Sequence, residues 1–389
     1  MISTNSQFGC GNIEVVRADG AATDTCPETF ELRIVPDPYC ESDKRAHFMW
    51  FYFRVSGVQG QQLRMRIVNA GEASYPRAWN GYQACASYDR KHWFRIAASF
   101  DAKTGVLEIT HKPLRGAIFV AYFAPYGYEQ HVDLIAEMQT HPQVTLHTLG
   151  QTVDGHDLDL LRIGEPAPGR PNIWIVARQH PGESMAEWFA EGLLRRLIDR
   201  HDALARRLQQ TACFWVVPNM NPDGSWRGHL RVNAAGANLN REWQEPSMER
   251  SPEVFLVREL MDRVGVDFFA DIHGDEELPY NFISGCEGIP SWSPKLESLL
   301  MTFSEAFKRA SPDFQTVHGY GRTPPGRANL KIAGSQIGER FKCLSFTLEM
   351  PFKDTIDVPD PAQGWCPERA LRFGATFLQP LSEVLQQLR

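Results

Sequence analysis

The second part of the chain alternates short apolar segments with long amphipathic ones, and this rhythm limits the folds available to it. The predicted strands are 173–177, 212–217, 266–272 and 343–348, and the predicted helices are 184–200, 252–264, 294–310 and 367–388. Strands that alternate with helices are typical of a parallel or mixed sheet with helices on its faces. We therefore expect an α/β fold for this part of the chain.

The first part of the chain follows a different rhythm. Short apolar segments at 30–35, 48–55, 62–68, 93–97, 106–110 and 117–123 are predicted strands. Turn residues such as Gly57, Gly71 and Gly105 separate them, which is typical of an antiparallel sandwich. A helical pattern at 128–140 follows. We therefore predict a β-sandwich domain at 1–125 and a second domain at 126–389.

Composition narrows the classes of function. The net charge of −7 gives no reason to expect a concentrated basic surface for nucleic acid. No apolar run reaches the length of about eighteen residues that a membrane span needs, and the N-terminus lacks the pattern of a signal peptide. The eight cysteines include no C-x-x-C pair, so free thiols are expected. These features predict a cytoplasmic protein without nucleic-acid or membrane partners, and they leave its oligomeric state open.

Polar side chains with metal-binding chemistry follow three of the predicted strands. His180 and Glu183 follow 173–177, His273 follows 266–272, and Glu349 follows 343–348. Ligands of open α/β sheets bind beyond the carboxyl ends of the strands, so we expect these residues to meet at one edge. Two imidazoles and a carboxylate form a catalytic zinc set. We predict one Zn²⁺ per chain, bound by these two histidines and Glu183.

The local pattern around these residues has competing explanations. Alone, H-x-x-E or a single histidine is weak evidence for a metal site. Glu349 lies inside the apolar run FTLEMPF, where a carboxylate is rarely buried without a functional partner. Gly182 is expected to bend the chain between the first two ligands. Ser184 and Glu187 have the spacing of a capping box for the helix that follows.

Between the candidate ligands lies a second group of motifs. The segment 218–224 has turn chemistry. Arg231 and, further along, Asn240 and Arg241 follow it. Arginine guanidinium groups suit two-point binding of a carboxylate. Taken alone, these residues are better explained as parts of a solvated loop with ordinary surface arginines.

As a set, the motifs resemble the zinc carboxypeptidase (funnelin) family. The matching segments are HPGE at 180–183, NPDG at 221–224, NLNR at 238–241, DIHG at 271–274 and FTLE at 346–349. In the first part, WFYFRVSG and YDRKHWFRI resemble the β-sandwich that precedes the peptidase domain of cytosolic carboxypeptidases. The resemblance implies a mixed sheet of the eight-stranded type, flanked by helices and preceded by an antiparallel β-sandwich domain.

This resemblance also implies a zinc metallocarboxypeptidase that acts on the C-termini of peptides or proteins. Glu349 would be the general base for a zinc-bound water and then the general acid. Arg231 would polarise the scissile carbonyl. Asn240 and Arg241 would bind the terminal carboxylate of the substrate, and Tyr320 is a candidate for the tyrosine that closes over it.

Two further positions concern the ligands and the substrate. Family members often have Asp where this chain has Asn238, whose amide oxygen would accept the imidazole N–H of a ligand histidine with less charge. An acidic C-terminal residue, such as glutamate, would need cations in the pocket. The candidates are Arg322, Arg327 and Lys331. The acidic run 275–277 would repel such a substrate if it faces the cleft.

Two alternative functions remain at this point. An aspartoacylase-like zinc amidohydrolase, which acts on N-acyl amino acids, can use a similar ligand set. A catalytically silent peptide-binding protein would keep the fold without turnover. The NPDG and NLNR motifs and the predicted N-terminal sandwich favour the peptidase.

Overall fold

The computed structural model describes residues 2–19, 28–40 and 46–388. The prediction of a free thiol at Cys26 lies outside these ranges. The other seven cysteines are free and buried. Among the helices of the described ranges, none combines the length and apolar character needed to cross a bilayer.

Ten strands of the first part form two five-stranded sheets. Their bounds are β1 Ser3–Asn5, β2 Glu14–Asp19, β3 Glu28–Arg33, β4 Tyr52–Ser56, β5 Leu63–Ile67, β6 Ala84–Ser87, β7 Trp93–Ile96, β8 Ala98–Asp101, β9 Val106–His111 and β10 Ala117–Ala121. One sheet has the order β1-β4-β10-β6-β7 and the other β2-β3-β5-β9-β8. Among the described strands of these two sheets, only the β3–β5 pair is parallel. The predicted antiparallel sandwich is therefore confirmed.

One apolar segment of this domain is not the strand that was predicted. The run 48–55 forms a strand only from Tyr52 onward, although Phe48 and Phe51 are buried. The Phe48 carbonyl accepts a hydrogen bond from Ser74 N at 2.9 Å, and the Phe51 carbonyl accepts one from Tyr122 N at 2.9 Å. Because these single contacts replace a continuous ladder, burial without strand pairing explains the apolar run.

The second part contains a mixed seven-stranded sheet with the order β11-β12-β14-β13-β15-β17-β16. The bounds are β11 Val144–Gln151, β12 Asp157–Ile163, β13 Asn172–Ala177, β14 Cys213–Val217, β15 Phe268–Asp275, β16 Phe282–Gly285 and β17 Leu344–Pro351. The four central strands are parallel, and the outer pairs are antiparallel. The described sheet thus has seven strands, whereas the resemblance implies the eight-stranded type, and an isolated parallel bridge joins Asn281 to Phe314.

Helices cover this sheet as predicted. Their bounds are α1 Tyr128–Met138, α2 Met185–Leu197, α3 Ala203–Thr211, α4 Pro222–Arg227, α5 Pro252–Val264, α6 Pro294–Ala310, α7 Ala333–Phe341, α8 Pro367–Thr376 and α9 Leu378–Val384. The single helix predicted at 367–388 is instead broken at Phe377. Pro380 explains the break, since it cannot donate a hydrogen bond to the carbonyl of Thr376.

Close packing holds α2 in place behind the HPGE segment. A Cβ atom on Gly192 would lie 1.9 Å from the Leu371 carbonyl oxygen, and one on Gly374 would lie 2.0 Å from the Phe189 oxygen. These two glycines therefore let α2 and α8 approach backbone to backbone. The contact fixes α2, and α2 in turn anchors the turn that precedes it.

Candidate active site

Strand register brings His273 and Glu349 together. Both strands continue through these residues, and β15 and β17 are parallel neighbours in which His273 pairs with Glu349 and Asp271 pairs with Thr347. Side chains two residues apart share a face of a strand, so Asp271 lies on the same face as His273. The predicted strands ended too early, at 272 and 348, because the ladder extends to Asp275.

The HPGE turn delivers the other two candidate ligands beside β15. The left-handed residue of this turn is Arg178, with φ 59°, and not Gly182. Gly182 is instead needed for close approach, since its N–H donates to the Leu230 carbonyl at 3.0 Å and a Cβ would lie 3.0 Å from that oxygen. Gly182 is thus required by this close approach to Leu230 and not by a left-handed backbone conformation.

Arg178 and Glu187 form a buried ion pair that the sequence analysis missed. Arg178 Nη1 donates to Glu187 Oε2 at 2.7 Å and to the Tyr126 carbonyl at 2.8 Å. The capping-box prediction is wrong, because Ser184 Oγ donates to the Ala124 carbonyl at 2.9 Å and caps no N–H of α2. Glu187 is drawn toward the arginine instead, and this pair braces the turn from behind.

His180, Glu183 and His273 form a compact group of buried metal-binding side chains. Their candidate ligand atoms all lie within 4.8 Å of one another. His180 Nδ1 lies 2.6 Å from Glu183 Oε1, and His273 Nδ1 lies 2.7 Å from Glu183 Oε2. Two imidazole nitrogens and a carboxylate are the donor set that suits a catalytic zinc ion. The residues present therefore fit the metal that the sequence predicts.

The two histidines have different outer partners. His180 Nε2 lies 3.1 Å from Asn238 Oδ1, as expected, whereas His273 Nε2 lies 2.9 Å from Asp271 Oδ2. Burial and nearby Arg231 lower the pKa of His180 to about 3. Burial also lowers the pKa of His273, but the carboxylates of Asp271 and Glu183 outweigh it and hold the net pKa well above the ordinary value.

Asp271 is a residue that sequence reasoning overlooked. Its Oδ2 also accepts a hydrogen bond from Gln179 Nε2 at 2.7 Å, which orients the carboxylate. An outer carboxylate fixes the tautomer and ring orientation of a ligand histidine. The i, i+2 spacing of Asp271 and His273 on one strand was the signal that could have identified it.

Glu349 lines the same cavity as the three candidate metal ligands. Its side chain is buried, and Oε2 has no hydrogen-bond partner among the described residues. Burial raises the pKa of Glu349 well above the ordinary value. An unpartnered buried carboxylate is costly, so its position beside His273 needs a chemical explanation.

The residues predicted to bind substrate line this cavity too. It has a volume of about 540 Å³ and includes the three candidate ligands, Glu349, Arg231, Asn240, Arg241 and Tyr320. Arg231 Nη1 donates to Tyr75 Oη at 3.0 Å, and Arg241 Nη1 donates to the Asn240 carbonyl at 2.6 Å. Asn240 Oδ1 accepts from Ala333 N at 2.9 Å. Tyr75, from the sandwich domain, was not predicted.

Tyr320 stands at the rim of the cavity. Its ring packs edge-on against Phe282 with centroids 4.9 Å apart, and its hydroxyl donates to Asp275 Oδ2 at 2.5 Å. The side chain is about half exposed. The structure thus brings Tyr320 to the site, and its closure over a substrate stays a prediction.

The cations expected for an acidic substrate are not at the cavity. Of the described residues, neither Arg322, Arg327 nor Lys331 lines it, whereas all three residues of the acidic run 275–277 do. Arg322 Nη2 instead donates to Glu297 Oε1 at 2.6 Å, on the surface. The acidic run therefore faces the cleft, which is the arrangement that was expected to oppose an acidic substrate.

A second group of possible metal ligands is formed by Asp154, His156 and Asp223. It already has internal partners. Arg227 makes two hydrogen bonds to Asp154, at 2.7 and 2.6 Å. Asp223 Oδ1 accepts from Thr152 Oγ1 at 2.5 Å. A cation would have to displace this arginine, so the group is a structural cluster.

Comparisons with known proteins match both parts of the chain. Residues 4–123 match the family model described as cytosolic carboxypeptidase N-terminal domain, and residues 131–368 match that described as zinc carboxypeptidase. The chain is 45% identical to a metallo-carboxypeptidase from Burkholderia cenocepacia (98% of each chain, TM-score 0.92). It is 42% identical to a metallo-carboxypeptidase from Pseudomonas aeruginosa in complex with (2-guanidinoethylmercapto)succinic acid (100% of each chain, TM-score 0.92). A further relative is Cytosolic carboxypeptidase 6 of Caenorhabditis elegans, 26% identical, with 84% of this chain and 75% of that protein covered.

Proposed function

The chain belongs to the zinc carboxypeptidase family and is a metallocarboxypeptidase, and from this premise we propose that it releases C-terminal residues with one Zn²⁺ held by His180, Glu183 and His273. The observation that carries the proposal is their convergence near the carboxyl ends of β13 and β15, where Glu349 pairs with His273 and its Oε2 has no hydrogen-bond partner among the described residues. Bound zinc supplies a Lewis acid that activates water and polarises a carbonyl.

Four other residues of the cavity have proposed roles in proton transfer, carbonyl polarisation and substrate binding. Glu349 Oε2 accepts a proton from the attacking water and later returns it to the leaving amine. The guanidinium of Arg231 donates to the carbonyl oxygen as negative charge develops there. Asn240 and Arg241 bind the terminal carboxylate, which restricts the enzyme to the last peptide bond.

The preferred C-terminal side chain has two candidates. Glutamate is supported by the resemblance to cytosolic carboxypeptidases, although the two arginines that line the cavity, Arg231 and Arg241, are assigned to the scissile carbonyl and the terminal carboxylate. A basic side chain is supported by the run 275–277, which lines the same cavity. The Pseudomonas aeruginosa relative binds a ligand that carries both a guanidino group and carboxylates, so it is compatible with either.

A peptide set that varies only in its last residue tests this function. Each peptide is supplied as a free acid and as the C-terminal amide, beside N-acyl amino acids that test the aspartoacylase-like alternative. We expect release of the last residue from the free acids alone. Cleavage of N-acyl amino acids without peptide hydrolysis would overturn the proposal. The ratio of kcat/KM for C-terminal Glu and Arg decides between the two side-chain preferences.

We also propose the cytoplasm as the location of the enzyme. The support is the relative named as a cytosolic carboxypeptidase and the absence of disulfides among the seven described cysteines. Fractionation of the producing cells with an antibody tests the proposal.

A further inference from the structure

One carboxylate of the sandwich domain holds the backbone that carries Arg231. Asp37 Oδ1 accepts from Leu230 N at 2.7 Å, and Asp37 Oδ2 accepts from Arg231 N at 2.7 Å and from Val232 N at 3.1 Å. Asp37 is buried, with 6% of its surface exposed. Three consecutive N–H groups of a loop in the catalytic domain are therefore satisfied by one side chain about 190 residues away.

Further contacts seat the same loop on the sandwich domain. Cys10 N donates to the Trp226 carbonyl at 2.8 Å, and Asn12 Nδ2 donates to the Gly228 carbonyl at 3.0 Å. A Cβ on Gly236, where φ is 73°, would lie 2.1 Å from the Tyr39 carbonyl oxygen. The backbone from 226 to 236 thus lies directly against the first domain at both of its ends.

The sandwich domain also contacts the side chain of Arg231. Tyr75 Oη accepts from Arg231 Nη1 at 3.0 Å, and Tyr75 lines the cavity of the candidate site. The guanidinium of an arginine lies at the end of a long, flexible side chain. Unless other residues fix its position, the catalysed reaction slows, because misplacement by about 1 Å can cost about 100-fold in rate. Asp37 restricts the backbone of Arg231, and Tyr75 restricts its guanidinium.

We propose that Asp37 and Tyr75 are positioning residues of the reaction, which place Arg231 for the scissile carbonyl, so that the sandwich domain is a working part of the active site. The inference rests on the proposed function through the role of Arg231. The hydrogen bonds of Asp37 and Tyr75 given above go to the loop that carries Arg231, so we expect loss of either to leave zinc binding intact.

The test compares Asp37→Asn and Tyr75→Phe in the full-length zinc enzyme. Asn keeps the shape but turns an NH₂ group toward backbone N–H groups, which leaves buried donors unpaired. We expect kcat to fall about 10- to 100-fold in Asp37→Asn. In Tyr75→Phe, which loses one hydrogen bond, we expect a fall of about 2- to 10-fold. Zinc content should stay at one per chain in both variants.

Asp101→Asn is the matched control, because Asp101 accepts from Lys103 N at 2.9 Å within a turn of the sandwich domain. It should keep wild-type kcat. In an Arg231→Ala background, Tyr75→Phe should cause no further loss, a coupling that a merely structural role would not produce. If Asp37→Asn fails to fold, the Tyr75→Phe cycle alone decides.

The outcomes separate this inference from the proposed function. Normal hydrolysis by Arg231→Ala would overturn the assigned role of that arginine. A large loss in Arg231→Ala, together with wild-type kcat in folded Asp37→Asn and Tyr75→Phe, would overturn the positioning role alone. An equal loss from Tyr75→Phe with and without Arg231 would also overturn it.

Discussion

Glu349 is an isolated carboxylate within the apolar strand β17, and its proposed catalytic role depends on its neighbours. It pairs in register with His273 and lines the cavity, and its Oε2 has no hydrogen-bond partner in the described part of the chain. Replacement by an apolar residue would relieve the desolvation cost. The proposed role as a proton acceptor instead requires a carboxylate oxygen whose lone pairs are not already used in hydrogen bonds to the protein.

Replacing Glu349 by Gln should separate metal binding from turnover. The three candidate ligands stay intact, so zinc content is expected to remain at one per chain by elemental analysis. Because the proton acceptor is lost, kcat should fall by about 10²- to 10⁴-fold. Glu339→Gln, on α7 and outside the cavity, is the control and should keep wild-type kcat. Near-normal turnover in Glu349→Gln would contradict the mechanism.

Asn238 and Asp271 contact the two candidate ligand histidines, and exchanging their side-chain types tests whether these contacts tune zinc affinity. Asp271→Asn should weaken zinc binding about 10- to 100-fold, because the imidazole of His273 loses its carboxylate partner. Asn238→Asp should strengthen binding, since a full charge would then face His180 Nε2. Competition against a chelator of known affinity measures both effects. Equal affinities for both variants and the wild type would show that these contacts do not tune the metal.

Glu253 lies in the first turn of helix α5. A helix N-terminus favours the charged form of a carboxyl group, but burial of Glu253 disfavours it. Glu253 is fully buried, and Asn233 Nδ2 lies 3.3 and 3.1 Å from its two oxygens. Burial raises the pKa of Glu253 to about 8. The unfolded chain releases this proton near its ordinary pKa of about 4.3, so the folded state binds one more proton between these values.

The free energy of unfolding should therefore decrease as pH rises from about 4.5 to about 8, and stay lower above that range. Glu253→Gln removes the titrating carboxyl group. The free energy of unfolding of the variant should therefore fall less between about pH 5.5 and about pH 8.5 than that of the wild type. Urea unfolding at the two pH values measures the difference. Glu259→Gln, on the exposed face of α5, is the control. An identical pH dependence in wild type and Glu253→Gln would contradict the assignment.

Zinc should couple the candidate site to the stability of the whole chain. Two of the ligands follow β13 and the third lies on β15, so binding to the folded state ties together segments 90 residues apart. A ligand at 100 times its Kd stabilises the folded state by about 2.7 kcal/mol. We expect zinc to raise the thermal midpoint of the metal-stripped protein. His273→Ala should abolish this rise, whereas His156→Ala, in the second cluster, should keep it. The reverse pattern would assign the zinc to the cluster of Asp154, His156 and Asp223 instead.

The two domains also share their interior. One continuous hydrophobic cluster includes residues of both sandwich sheets, such as Val55 and Leu107, and of the central sheet, such as Ile175 and Phe346. Domains joined through a common core are expected to unfold together. The proposed division at 125/126 falls between β10 and α1, where the chain passes from one architecture to the other.

Local patterns in the sequence were sufficient for the fold class and for the expectation that His180, Glu183, His273 and Glu349 lie together, as they do in one cavity. Strand and helix periodicities arise from neighbouring residues, and parallel strands deliver their ends to one edge whatever the loops between them do. Contacts between distant segments set the rest. Asp37 meets the Arg231 loop, and the predicted cations lie away from the cavity, because such pairings depend on loop paths and domain packing that leave no periodic trace in the chain.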